Sequence, residues 1–164
     1  MTLSRLFEHS KGKVPLTGGS SQFRGKTMLF LTANEVKRKF DQYAKLRDRV
    51  LSDLFSEYLA YPADAQLVML VHSWALWPSK DKQGNILFKG KQWPKYTAAC
   101  KSRHWWSRNQ SESTAAKESH WSKMSYYRYQ LMVLMFKNAQ AVENARKKGL
   151  QTDVKKLYYP QQAL

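Results

Sequence analysis

Between Phe88 and Tyr129, cations and aromatic rings alternate along the chain. The order is Lys89, Lys91, Trp93, Lys95 and Tyr96, then Lys101, Arg103, Trp105, Trp106 and Arg108, and further on Lys123, Tyr127 and Arg128. Cations can neutralise phosphates and release their counterions, which gives affinity that falls steeply with salt. Exposed ring faces stack on unpaired bases, worth ~1–3 kcal/mol per base. Residue types and spacing therefore predict a surface for single-stranded or distorted nucleic acid, DNA or RNA. Its candidate cations are Lys89, Lys91, Lys95, Lys101, Arg103, Arg108, Lys123 and Arg128, and its candidate rings are Trp105, Trp106 and Tyr127. For any single tryptophan, burial in the core is an equally good reading, because most tryptophans are largely buried. Trp105 and Trp106 are adjacent and cannot both face the core of one helix, so one ring is expected near the surface.

Other chemistries lack their residues. Asp81, Glu112 and Glu118 stand apart in the basic half, so the paired carboxylates of a metal-dependent nuclease are missing. Gly84 and Gly90 do not fit the spacing of a phosphate-cradling loop. Cys100 and His104 could share a helix face with His72 or His120 as further ligands, but a structural zinc site needs paired short spacings and no second pair exists. Arg103, His104 and Arg108 with Tyr158 or Tyr159 suggest a tyrosine nucleophile activated by cations, which a terminal tail is poorly suited to hold. The chain is expected to be non-enzymatic, without metal or cofactor.

The charge distribution sharpens this reading. The protein has 28 Lys and Arg against 12 Asp and Glu, a net charge of +16 over 164 residues. Residues 27–78 balance at six of each sign, whereas residues 79–128 carry eleven cations against three acids and four of the six tryptophans. Such an excess in one segment is more than solubility requires and is the footprint of a polyanion binder. A hydrophobic fraction of 43% with 13% aromatics argues for a folded chain rather than a disordered basic tail. The longest apolar stretch, 67–77, is interrupted by His72 and Ser73 and is far shorter than the roughly 20 residues that cross a bilayer. No apolar run follows Arg5, Lys11 and Lys13, so no secretory signal is read, and a single cysteine excludes an internal disulfide. A cytoplasmic protein without membrane contact is expected.

The elements that must position these residues read as all-α. Residues 1–26 are rich in Gly, Ser, Thr and Lys and predict a flexible basic arm. Thr32 with Glu35 forms a capping-box pattern, and Val36, Phe40, Tyr43, Leu46, Val50, Leu54 and Tyr58 recur at helical spacing. These predict a long helix over about 33–60, its charged face balanced by interleaved acids. Pro62 opens a second helix over 63–77, apolar nearly all round and therefore expected to be central and buried. Residues 78–95 carry turn chemistry around a β-prone Ile86-Leu87-Phe88 and read as a basic hairpin or loop. Pro94 opens a helix to about Trp106. A second long helix is predicted over about 114–148, closed by Arg146-Lys147-Lys148 and Gly149. The domain reading is thus an arm 1–26, one helical domain 27–149 and a basic aromatic tail 150–164.

In size, charge and absence of catalytic motifs the chain is similar to accessory subunits of nucleoprotein machines. The expected function is a nucleic-acid-binding accessory subunit of modest sequence specificity, with other protein subunits as further partners and with arm and tail adding contacts. The alternative is an assembly or inhibitory module that binds an acidic protein, in which case exposed rings are interface hot spots.

Overall fold

Thr32 starts the first long helix as its chemistry requires. Its backbone N–H donates to Glu35 Oε2 at 2.7 Å and Glu35 N–H donates to Thr32 Oγ1 at 3.1 Å, the reciprocal capping pair. The backbone hydrogen bond from Thr32 holds the Glu35 carboxyl below its ordinary range. This helix belongs to a computed structural model that describes residues 19–23, 26–30, 32–109, 111–119 and 126–163. The chain divides into two compact units, Met1–Leu46 and Arg47–Leu164.

In the first unit, β1 (Gly19–Phe23) and β2 (Lys26–Phe30) pair antiparallel, with Gly19 opposite Phe30 and Phe23 opposite Lys26. β1 lies inside the segment expected to be a flexible arm, and residues 1–18 of that arm lie outside the described residues. Helix α1 (Ala33–Leu54) follows. The apolar face predicted for it is only partly buried. Leu51 and Leu54 are enclosed, whereas Phe40, Tyr43 and Leu46 are exposed.

α1 stops at Leu54, short of the predicted residue 60. The chain turns into a 3-10 helix (Tyr58–Ala60), which brings Tyr58 back along α1 so that its hydroxyl donates to Asp48 Oδ1 at 2.9 Å. Burying Tyr58 and Tyr61 wins over a longer helix, since enclosing two aromatic rings contributes more free energy than the net gain of about 1 kcal/mol from each further helical hydrogen bond.

The second unit continues with α2 (Ala63–Ala75). Val68, Met69 and His72 face the interior, but Val71 and Trp74 are exposed, so this helix is half-buried and not central. Next come β3 (Pro78–Lys80), β4 (Ile86–Phe88) and β5 (Lys91–Gln92), an antiparallel sheet in the order β3-β4-β5. Helices α3 (Pro94–Lys101), α4 (Ala115–Glu118) and α5 (Tyr126–Lys147) complete it. The protein is therefore mostly helical but mixed α/β, which corrects the all-α expectation. The reason is length. For β3, β4 and β5, two or three residues are too few for a period-of-two pattern to show, yet two turns suffice to pair them, whereas β1 is hidden by its Gly- and Ser-rich composition. Residues 120–125 of the predicted 114–148 helix lie outside the described residues.

The core gathers Leu51, Phe55, Tyr58, Val68, Met69, Trp105 and Phe136 between α2, α5 and the connecting segments. α5 ends in a Schellman motif: Leu150 N–H donates to Ala145 O at 3.0 Å, Gly149 N–H to Arg146 O at 2.9 Å, and Gly149 takes φ +72°. The tail beyond it is docked. Buried Asp64 accepts from Tyr158 N–H at 2.8 Å and Tyr159 N–H at 3.0 Å, and buried Asn138 accepts from Ala163 N–H at 2.9 Å.

Candidate nucleic-acid interface

The sheet and α3 present their lysines to solvent. Lys80, Lys82, Lys89, Lys91, Lys95 and Lys101 are all exposed. None of them pairs with a carboxylate among the described residues; Lys80 Nζ donates to the Asp53 carbonyl at 3.1 Å. The one acid of this stretch, Asp81, is engaged by its own turn. Its Oδ2 accepts from Asn85 Nδ2 at 2.9 Å, and its Oδ1 accepts from the N–H groups of Asn85 at 2.8 Å and Gln83 at 2.9 Å. These bonds, Asn85's side chain foremost, hold the Asp81 carboxyl below the usual range. It stays ionised, with its oxygens occupied by its own turn and not by a lysine. Six exposed lysines against this one anion leave a long-range field of positive sign over the face.

Two grooves run along this face. One, of about 480 Å³, is lined by Lys91, Trp93, Lys95 and Tyr96, with Glu118 on its wall. Another, of about 280 Å³, lies between the Gly84-Asn85 turn and α3 and includes Lys101. Trp93 is half-buried and edge-on to Phe88, Tyr96 and His72, with centroids 6.2, 6.3 and 5.6 Å away, so its ring is fixed in orientation at the groove. His72 is buried beneath these rings, and its pKa is lowered to about 4 by burial, with the Ser119 carbonyl at 3.4 Å opposing part of the shift. It is a neutral core residue. Burial also pushes the Cys100 thiol upward, which leaves it inert as a nucleophile.

Three of the residues expected at the interface are placed elsewhere. Trp105 is fully buried, stacked on Phe136 at 6.0 Å and edge-on to Tyr61 at 4.9 Å, and cannot stack on a base. Trp106 is half-buried with Lys137 Nζ 4.8 Å from its ring centroid. A single acceptor, Gln140 Oε1, takes both indole residues' backbone N–H groups at 2.8 and 3.2 Å, which fixes the inward ring by fixing the backbone. Arg103 donates to Glu57 at 2.9 Å and to buried Glu143 at 3.2 Å, so its charge is already matched. Arg103 ends α3 with φ +55°. Its N–H donates to Cys100 O and His104 N–H to Ala99 O, and this Schellman cap is why the helix stops at Lys101 and not near Trp106.

Arg108, Tyr127 and Arg128 are exposed, and Lys123 lies outside the described residues. His104 Nε2 lies 3.3 Å from Glu112 Oε2, away from Cys100, which is enclosed. Among the described residues no group of three or more metal-ligating side chains is brought together, and no helix is long and apolar enough to cross a membrane.

Sequence reasoning missed one aromatic cluster. Trp74 and Trp77 are both exposed, and the Arg47 guanidinium carbon lies 4.2 Å and 4.6 Å from their ring centroids. The signal was the i, i+3 spacing of the two indoles, but it was absorbed into the apolar pattern of α2. Protein-family models, curated proteins and solved structures, when compared with this chain, give no match.

Proposed function

We propose that this protein is a non-enzymatic nucleic-acid-binding subunit whose β3-β4-β5 sheet and α3 form the contact face. The observation that carries the reading is the set of exposed lysines on that face, none paired with a described carboxylate, beside a groove walled by Trp93 and Tyr96. Lys91 and Lys95 flank that groove and supply phosphate contacts, while the half-buried Trp93 ring, held from beneath by buried Tyr96, accepts an unpaired base. Such contacts track the backbone and carry little sequence information.

The test is fluorescence-anisotropy titration of labelled single- and double-stranded 20-mers, DNA and RNA, across a salt series. Single strands should bind more tightly than duplex, and Lys91→Glu/Lys95→Glu should weaken binding of both severalfold and flatten the salt slope. Equal weak binding to every oligonucleotide, insensitive to the two substitutions, would refute the reading. A second reading, contact with another protein subunit, is favoured by one specific feature. Phe40, Tyr43 and Leu46 form an exposed apolar stripe on α1 at spacing three, the anchor pattern of a helix laid against a partner.

A further inference from the structure

The register of the sheet places a ring and two cations at one end of it. Pro78 lies opposite Phe88 and Phe88 opposite Lys91, and beyond that row Lys89 N–H donates to Trp77 O at 2.9 Å. Lys91 shares the face of Phe88 and Trp77 lies on the opposite face, with the Lys89-Gly90 turn as the edge between them. With neighbouring strands about 4.8 Å apart, the backbones of Trp77, Lys89 and Lys91 fall within roughly 10 Å of one another at this sheet end. That span matches one or two nucleotides of an extended strand.

Two further features are local departures from the usual rules. The β4–β5 connection is the two-residue turn Lys89-Gly90 with φ +51° and +74°, a type I′ pattern whose first position favours Asn, Asp or Gly. A lysine there is strained, and among the described residues no carboxylate pairs with its side chain. Backbone strain of this kind concentrates where a side chain is needed for contact. The second feature is Trp77 itself. It is 42% exposed, yet the Arg47 guanidinium sits over its ring and that of Trp74, while Arg47 Nε donates to Ser73 O at 3.4 Å. A ring already held by a cation loses little freedom on binding, so stacking on it is favourable.

We infer that Trp77, backed by Arg47 and Trp74, is a base-stacking platform for single-stranded nucleic acid, with Lys89 delivering the adjacent phosphate contact. This rests on the nucleic-acid reading above and extends it: the strand leaves the Lys91–Trp93–Lys95 groove, crosses the Lys89-Gly90 turn and places its next base on Trp77. Stacking requires a base, whereas phosphate contact does not, and this difference is measurable.

The experiment compares dT20 with a 20-mer of abasic spacer of the same charge, for the wild type, Trp77→Ala, Trp77→Phe and Lys89→Asn. Trp77→Ala should weaken dT20 binding roughly 5- to 100-fold, leave the abasic chain within about twofold, and be largely rescued by Trp77→Phe. Lys89→Asn suits the turn better and should weaken both ligands alike. Because Trp77 is exposed, circular dichroism of each variant should match the wild type. If the wild type binds dT20 with a steep salt slope and Trp77→Ala binds it equally well, the platform is refuted and the groove reading stands. Equal losses on dT20 and the abasic chain also refute it, by reducing Trp77 to a fold-stabilising residue. If the wild type binds neither oligonucleotide, both readings fall and the patch is assigned to a protein partner.

Discussion

Two cations among the described residues occupy the left-handed backbone region, and their surroundings are opposite. Arg103, at φ +55°, ends α3 where glycine is preferred, and its side chain is held by Glu57, Glu143 and the Tyr61 ring 5.4 Å away. Lys89, at φ +51°, sits at the tip of a hairpin with its side chain exposed and no described carboxylate paired with it. The first cation joins the ends of three segments, so its strain is offset within the fold. The second keeps a backbone bond to Trp77 O, and its side chain has no carboxylate partner among the described residues. The comparison separates charge that builds the structure from charge that faces outward, although the sequence displays both as basic residues among rings.

Substitutions should split along that line, and the largest effect belongs to the interior. Trp105→Ala removes a fully buried ring stacked on Phe136 and should cost about 3–5 kcal/mol in denaturant unfolding. Any folded fraction should keep its oligonucleotide affinity.

Acid should act next. The folded-state pKa of His72 lies near 4 against an ordinary 6.5, so the unfolded chain binds a proton in that interval that the folded chain refuses. Stability from this group is complete above pH 6.5 and falls as the pH drops to 4, by roughly 3 kcal/mol at 1.4 kcal/mol per pKa unit. Urea midpoints measured every half pH unit would show it, and His72→Phe should flatten the window.

Glu143→Gln leaves Arg103 and Arg146 without their shared carboxylate and should cost about 1.5–3 kcal/mol. The smallest effect is expected at the hairpin tip. Lys89→Asn relieves the left-handed lysine and should stabilise the fold by about 0.5–1 kcal/mol in thermal unfolding while it weakens nucleic-acid binding. Opposite signs of stability and binding would be a signature of the outward region. Equal signs would erase the distinction.

Legibility in the sequence follows the range of the interactions. The cap at Thr32 and Glu35, the Pro94 helix start and the Gly149 end are local rules and were readable. The end of α1 was not, because Tyr58 reaches back ten residues to Asp48. Trp105 was misplaced for the same reason: Gln140, 35 positions away, fixes its backbone and turns its ring inward. Segment-level charge did locate the lysines of the sheet and α3. It could not distinguish them from Arg103, because the matching acids Glu57 and Glu143 lie 46 and 40 residues distant. Docking of the tail likewise depends on Asp64, 94 residues before Tyr158.

Lysine acetylation footprinting with and without dT20, read by mass spectrometry, tests the central claim most directly, because every lysine reports in one experiment. Lys89, Lys91 and Lys95 should become protected, while Lys147, Lys148, Lys155 and Lys156, also exposed in the free protein, should react as before. Protection spread evenly over all lysines, or confined to the C-terminal four, would contradict the assignment of the sheet face.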